Sequence, residues 1–344
     1  MKRKFLLFFV AIASLMMLIG CGVREEEYIP QEPELTTVAQ EPKEKYEEYY
    51  EEEKEEYTSG IHGLLSYVEY NNNRVYIFGS MHLGNPYFFP LADVVEDAME
   101  RAEVFVFEID LNEMLSEEGI MLAMHHMFFP HGESLQTFLP ADAYEHFLRV
   151  IETFPNVVAL FGPMLEMMTP MAISTLLVAD IMEELGIYED YSVDFYVHSF
   201  ATLYNRQIFG LVPLEQELDA LFNVPFDVSL AIIESLVSRE EMLAYTYEMQ
   251  LAQAYFYQDI ELLTYILNAE TDLEDAYNLH TALIMPQRTA QFASQIDYLL
   301  RNTQEPTTFF VTIGIGHLIG IGEDAASVFE VLGDLGHTAT TLWN

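Results

Sequence analysis

RVYIFGSMHLGNPYFFPLADVVEDAMERAEVFVFEID, residues 74–110, holds two apolar runs around one amphipathic stretch. Arg74 to Phe78 alternates as a strand does. Leu91 to Ala102 carries apolar residues at helical spacing, just behind Pro90. Val104 to Ile109 is a short β-branched and aromatic run, the pattern of a strand buried on both faces. Strand, helix, strand reads as a βαβ unit and predicts a parallel pair. The expected fold class is therefore α/β (α+β), with a mainly parallel central sheet and flanking helices.

The rest of the chain fits round that unit. From about 111 to 300 the pattern is mostly helical, in Met- and Tyr-rich amphipathic stretches, which predicts a large helical insertion. RQIFGLVPLE, 206–215, interrupts it as one strand. Thr308 to Ile313 is expected as another strand, Asp324 to Leu332 as a helix, and HTATTLW, 337–343, as the last strand.

Two strands run into the same short unit: Gly79-Ser80-Met81-His82 and Gly314-Ile315-Gly316-His317. Glycine at such a point lets the backbone turn or approach a ligand closely. In open α/β sheets ligands bind beyond the carboxyl ends of strands. If the strands are parallel, His82 and His317 emerge on one edge, and Glu108, at the end of the next strand, emerges there too. Imidazole can ligate a metal or act as a base near neutral pH. A carboxylate beside it can share the metal, orient the ring or activate water.

The N-terminus reads as an address. Lys2, Arg3 and Lys4 precede an uncharged apolar run from Phe5 to Gly20, and Leu18-Ile19-Gly20-Cys21 looks like a bacterial lipobox. Residues 1–20 are expected to be a signal peptide, with acyl chains such as palmitate on Cys21, the chain's one cysteine. That predicts an extracytoplasmic protein held to the cell membrane by a lipid anchor, and it leaves no internal disulfide or CxxC zinc site. Residues 21–57 follow as an acidic tether; Gly22 to Tyr57 contains 14 acidic and 4 basic residues. A segment so charged and so poor in apolar surface is expected to stay extended. Residues 58–344 form the globular domain, with no lysine, seven arginines and a net charge of −35. Such a domain repels phosphate backbones, which argues against nucleic acid and favours cationic partners.

Taken in order, these blocks resemble the TraB/GumN family, which includes the Tiki metalloproteases and the pheromone-shutdown proteins. The first block is GSMHLG through FEID. The middle block is YSVDFYVHSFATLYNRQIFGLVPLEQE, with Asp194 and Glu215 at the family's acidic positions. An Arg-Asn segment appears as MPQRTAQFASQI, with Arg288 matching and Thr289 where asparagine is usual. The last block is GIGHLIG. Ser192 stands where a glycine precedes Asp194, and LVPLE, with Val212 and Pro213 intervening, stands for Gly-Leu-Glu.

The resemblance implies a fold of the erythromycin-esterase/ChaN-like type and a membrane-anchored hydrolase, a divalent-metal-dependent peptidase. His82, Glu108 and His317 would be the metal and catalytic centre, with Mn, Co, Fe or Zn as the metal. Glu215 and Arg288 would support it. Arg288 could bind a substrate carboxylate, steady an oxyanion or pair with Glu215. Asp194 is expected to cap or brace a helix. The competing readings are a metal-independent His/Glu hydrolase and a non-enzymatic protein that binds a peptide signal.

Other signals are weaker. HHMFFPH (His125, His126, His131) lacks the HExxH spacing and fits a lid better than a metal site. His62, His146, His198, His280 and His337 stand alone, as core or surface residues. No P-loop and no Gly-x-Ser-x-Gly is present.

Overall fold

The computed structural model describes residues 63–84, 88–184, 187–188, 191–226, 228–230, 250–252, 254–268, 276–320 and 326–342. The expected signal peptide, Cys21 and the acidic tether lie outside the described residues.

Six strands form one sheet: β1 (Leu64–Tyr70), β2 (Asn73–Ser80), β3 (Val104–Phe107), β4 (Gln207–Gly210), β5 (Thr308–Gly314) and β6 (Thr340–Thr341). Their order is β4-β3-β5-β2-β1-β6. The pairs β2 with β5, β5 with β3 and β3 with β4 are parallel, while β1 runs antiparallel to β2 and to β6. The fold is thus α/β with a mainly parallel sheet, as the opening block predicts.

Three details of the sheet differ from the sequence expectation. β2 and β3 are parallel but not neighbours, because β5 lies between them. A βαβ pattern sets direction and handedness, yet a strand from much later in the chain can still insert into the gap. The sheet also begins one strand earlier, with the β1–β2 hairpin. Asn71 and Asn72 turn it in left-handed conformation, φ 51° and 66°. Positive φ at both central residues suits the right-handed strand twist, and asparagine tolerates it. The last strand shrinks to Thr340–Thr341, which pairs with Tyr67 and Ser66 at the far edge.

β2, β3 and β5 are almost wholly buried, so both faces of the sheet are covered. Phe310 is central on one face, with ring centroids 5.7 Å from Phe78 and 5.6 Å from Phe105.

The helices in chain order are α1 (Asp93–Arg101), α2 (Leu111–Met114), α3 (Glu117–Met127), α4 (Leu135–Phe138), α5 (Ala141–Ile151), α6 (Pro155–Leu165), α7 (Pro170–Glu184) and α8 (Val193–Leu203). There follow α9 (Leu214–Phe222), α10 (Ile260–Asn268), α11 (Ala276–Asn302), α12 (Ile315–Ile319) and α13 (Val328–Asp334). Helices α2 to α8 leave from the carboxyl end of β3 and make up most of the insertion. α8 returns to the sheet, where Phe200 meets Phe105 at 5.8 Å. No described helix is long and apolar enough to cross a membrane.

Candidate active site

The parallel pairing of β2 with β5 brings the two histidine units together. Ser80 and Gly314, the last residues of the two strands, are register partners. His82 follows two residues after one strand end, and His317 lies in α12, which begins as the other strand stops. A side chain on Gly79 would press against Ile315 Cδ1 at 2.9 Å and Leu318 Cδ2 at 3.1 Å. The glycine of the first unit therefore lets the helix of the second lie against the strand end. Tyr255, fully buried, donates its hydroxyl to Gly79 O at 2.6 Å and braces the turn from the other side.

His82 is held through Nδ1, 2.8 Å from Asp194 Oδ2. Ser80 Oγ donates to the other oxygen of Asp194 at 2.9 Å. The order is Ser–Asp–His, with the hydroxyl on the carboxylate and not on the ring, so Ser80 steadies Asp194. Of the two roles expected for Asp194, the cap belongs to Ser192, whose Oγ accepts from Phe195 N, and Asp194 is left to brace His82. Val193 N donates to Met81 O at 3.1 Å, which fixes the start of α8 beside His82 and turns Asp194 towards it. Burial opposes a charge on His82, but Asp194 outweighs burial and holds its pKa up at about 9.

His317 is buried and held on the opposite side. Its Nδ1 lies 2.8 Å from Thr289 Oγ1, and the edge of Phe292 packs against the ring at 4.8 Å. Burial drives its pKa down to about 3, against the partial opposition of Glu108, so the ring is neutral.

Glu108 stands just past β3. One oxygen accepts from Gly314 N at 2.6 Å and the other from Arg288 Nη2 at 2.7 Å. His317 Nε2 is 4.0 Å from Glu108 Oε1. Burial favours the neutral acid, but Arg288, the two histidines and the Gly314 amide together hold the pKa down at about 2.

Arg288 is buried on α11 and its Nη2 also meets Glu217 Oε1 at 2.7 Å. Glu217 is the carboxylate that the sequence expectation missed. Glu215, expected in that role, is exposed on the first turn of α9. Residues two apart on a helix do not share a face. Leu214, Leu218 and Leu221 are buried with Glu217, and that spacing was the available signal. Burial pushes the Glu217 carboxyl up, while Arg288 pulls it down. Gly210, just before this helix, is required by crowding: a Cβ there would fall 2.6 Å from Asp110 N.

Of the residues expected from sequence, His82, Glu108, His317 and Arg288 therefore converge at one sheet edge and Glu215 does not. Asp194, Glu217 and Thr289 join them. His126 lies 3.7 Å from Asp219 on α9.

Residues 64–340 match the model of the TraB/PrgY/gumN family. The chain belongs to that family. No curated protein and no solved structure matches it. Within the TraB/PrgY/gumN span lie both histidine units, Glu108, Asp194, Glu217 and Arg288.

The donor types fit a divalent metal. Ligating histidines are usually oriented through the nitrogen that does not bind the ion, as Asp194 and Thr289 orient His82 and His317. Glu108 supplies a carboxylate. Among the described residues no three His, Cys, Asp or Glu side chains form a ready-made metal cage. Glu108 is instead engaged by Arg288 and by Gly314.

Proposed function

We propose that the protein is a hydrolase of peptide bonds that faces outward from the cell membrane on a lipid anchor at Cys21. The observation that carries the hydrolase reading is a buried pair of histidines, each oriented through Nδ1, flanking an ionised glutamate at the carboxyl edge of parallel strands. Peptide as the substrate follows from the resemblance, and the net charge of −35 on residues 58–344 favours cationic sequences.

His82, Glu108 and His317 would hold a divalent metal. Bound there, such an ion polarises a carbonyl and lowers the pKa of water. The protein's own groups divide the remaining work. With an ion on the two Nε2 atoms, Asp194 and Thr289 would orient the rings through Nδ1; without one, neutral His317 offers a base and His82, kept charged by Asp194, offers a proton to a departing amine. Arg288 keeps Glu108 ionised and in place.

One observation favours a second reading, a His/Glu hydrolase that needs no metal. Arg288 already neutralises Glu108, and the two histidines already hold opposite protonation states.

The test is metal content and peptide-library turnover of the purified chain, with His82→Ala/His317→Ala as control. A tightly held metal lost in the double variant, with turnover abolished by a chelator, supports the first reading. Turnover that survives chelation in metal-free buffer supports the second. A chain with no turnover, whose peptide binding is unchanged in the double variant, is a binder and refutes both.

A further inference from the structure

We infer that Thr289 is a positioning residue that fixes His317 in its Nδ1–H tautomer, and so makes Nε2 the nitrogen that meets substrate or metal. The use of Nε2 rests on the hydrolase reading above; the tautomer does not.

The argument is an accounting of protons. Thr289 Oγ1 lies 2.8 Å from Met285 O and 2.8 Å from His317 Nδ1. A hydroxyl has one proton to give and two lone pairs. Met285 O is a carbonyl and can only accept, so the hydroxyl proton goes there, along the helix to the residue four earlier. The oxygen is then an acceptor towards the ring, and Nδ1 must carry the hydrogen. In the opposite arrangement the proton would point at Nδ1, and two oxygens would stand 2.8 Å apart with no hydrogen between them.

Glu108 is the competing influence, since an ionised carboxylate near Nε2 would favour a hydrogen on that atom. Its nearer oxygen is 4.0 Å from Nε2, beyond hydrogen-bond reach, and already accepts from Gly314 N at 2.6 Å. The close, directed contact at Nδ1 therefore decides. Thr289 and His317 are both buried, at 3 % and 3 % exposure, so water does not replace either partner. Thr289 takes the place of an asparagine in the family pattern. A threonine does this work because its proton is committed to its own helix, leaving an acceptor facing the ring.

The experiment is nitrogen NMR of the full chain labelled with 15N-histidine, at neutral pH with chelator present. The His317 signals are identified by their loss in His317→Ala. The expected wild-type pattern is a protonated-type shift at Nδ1 and an unprotonated-type shift at Nε2. The reverse pattern, or a ring protonated on both nitrogens, overturns the inference. Thr289→Ser keeps the hydroxyl and is expected to reproduce the wild-type pattern. Thr289→Val removes the acceptor, and the hydrogen is expected to move to Nε2, facing Glu108. A folded Thr289→Val with the wild-type pattern overturns the role of Thr289. Thr289→Ala is the second variant should valine prevent folding, with the same two outcomes. A chain that hydrolyses nothing yet shows the Nδ1–H pattern loses the hydrolase reading and keeps this one; a hydrolase with Nε2–H does the reverse.

Discussion

Replacing Arg288 with methionine removes a cation that touches both Glu108 and Glu217. The side chain is buried, and a methionine of similar length leaves both carboxylates without that charge. The Glu108 pKa is held down at about 2, with Arg288 the largest attractive cause beside the two histidines and the Gly314 amide. Removing one partner of a buried ion pair costs ~3–5 kcal/mol. Arg288→Met should lose about 3 kcal/mol by that measure. Taking an unfolding entropy of ~2.1 cal/mol/K per residue over roughly 280 residues, Tm should fall by about 5 °C. The assay is urea unfolding followed by circular dichroism, comparing midpoints at constant slope. Glu108→Gln in the Arg288→Met background should cost little more, or recover stability, because no unpaired carboxylate then remains at that position. The acid limb is a second check. Glu108 has a folded pKa below its unfolded value, so its contribution is complete above pH 4.5 and is lost as pH falls towards 2. In Arg288→Met that limb should flatten. A loss below about 1 kcal/mol, of the size expected for exposed ion pairs, or strict additivity in the double variant, would refute the reasoning.

Three further outcomes are expected. Asp194→Asn should drop the His82 pKa well below 9, because burial is then opposed by the more weakly acting Glu108 and no longer by Asp194. The wild-type stabilisation from a raised histidine pKa is complete below pH 6.5 and lost as pH rises through 9, so the variant should be weaker at pH 6 and closer to wild type at pH 10 in urea melts. Glu215→Gln should change stability by no more than ~0.5 kcal/mol, as surface substitutions do, whereas Glu217→Gln should cost ~1–3 kcal/mol by weakening a bond to a buried charge; equal effects would mean that the helix register of α9 is wrong. Gly210→Ala should cost ~1–3 kcal/mol by overpacking, since the added carbon meets the backbone of Ile109 and Asp110; a neutral result in the same melts would remove crowding as the reason for glycine there.

The sheet was legible where strands are buried on both faces. Val104–Phe107 and Thr308–Gly314 read as strands because they are rich in β-branched and aromatic residues, and parallel pairing puts the two histidine units on one edge. The position of β5 between β2 and β3 was not legible, since local periodicity carries no information about partners two hundred residues away. YVEYNNNRVYIF carries the signal of β1 and its Asn-Asn turn as well as that of the downstream strand. Ser192 and Asp194, two residues apart, both suit a helix start, and only the return of α8 to Met81 shows that Ser192 caps while Asp194 faces His82. The family resemblance points to Glu215, whereas the leucine spacing of LEQELDALF puts Glu217 on the buried side.

Gly314 begins α12 with no side chain of its own helix to cap it, and its amide is taken by Glu108, 206 residues earlier. A five-residue helix has little stability alone. The placement of His317 is therefore interlocked with the docking of β3 against β5: an early segment supplies the acceptor and a late one supplies the histidine. A chain cut anywhere between them and allowed to separate loses both the helix and the setting of Glu108 at once. The centre is assembled by the finished fold as a single event, and no fragment of the chain carries half of its geometry.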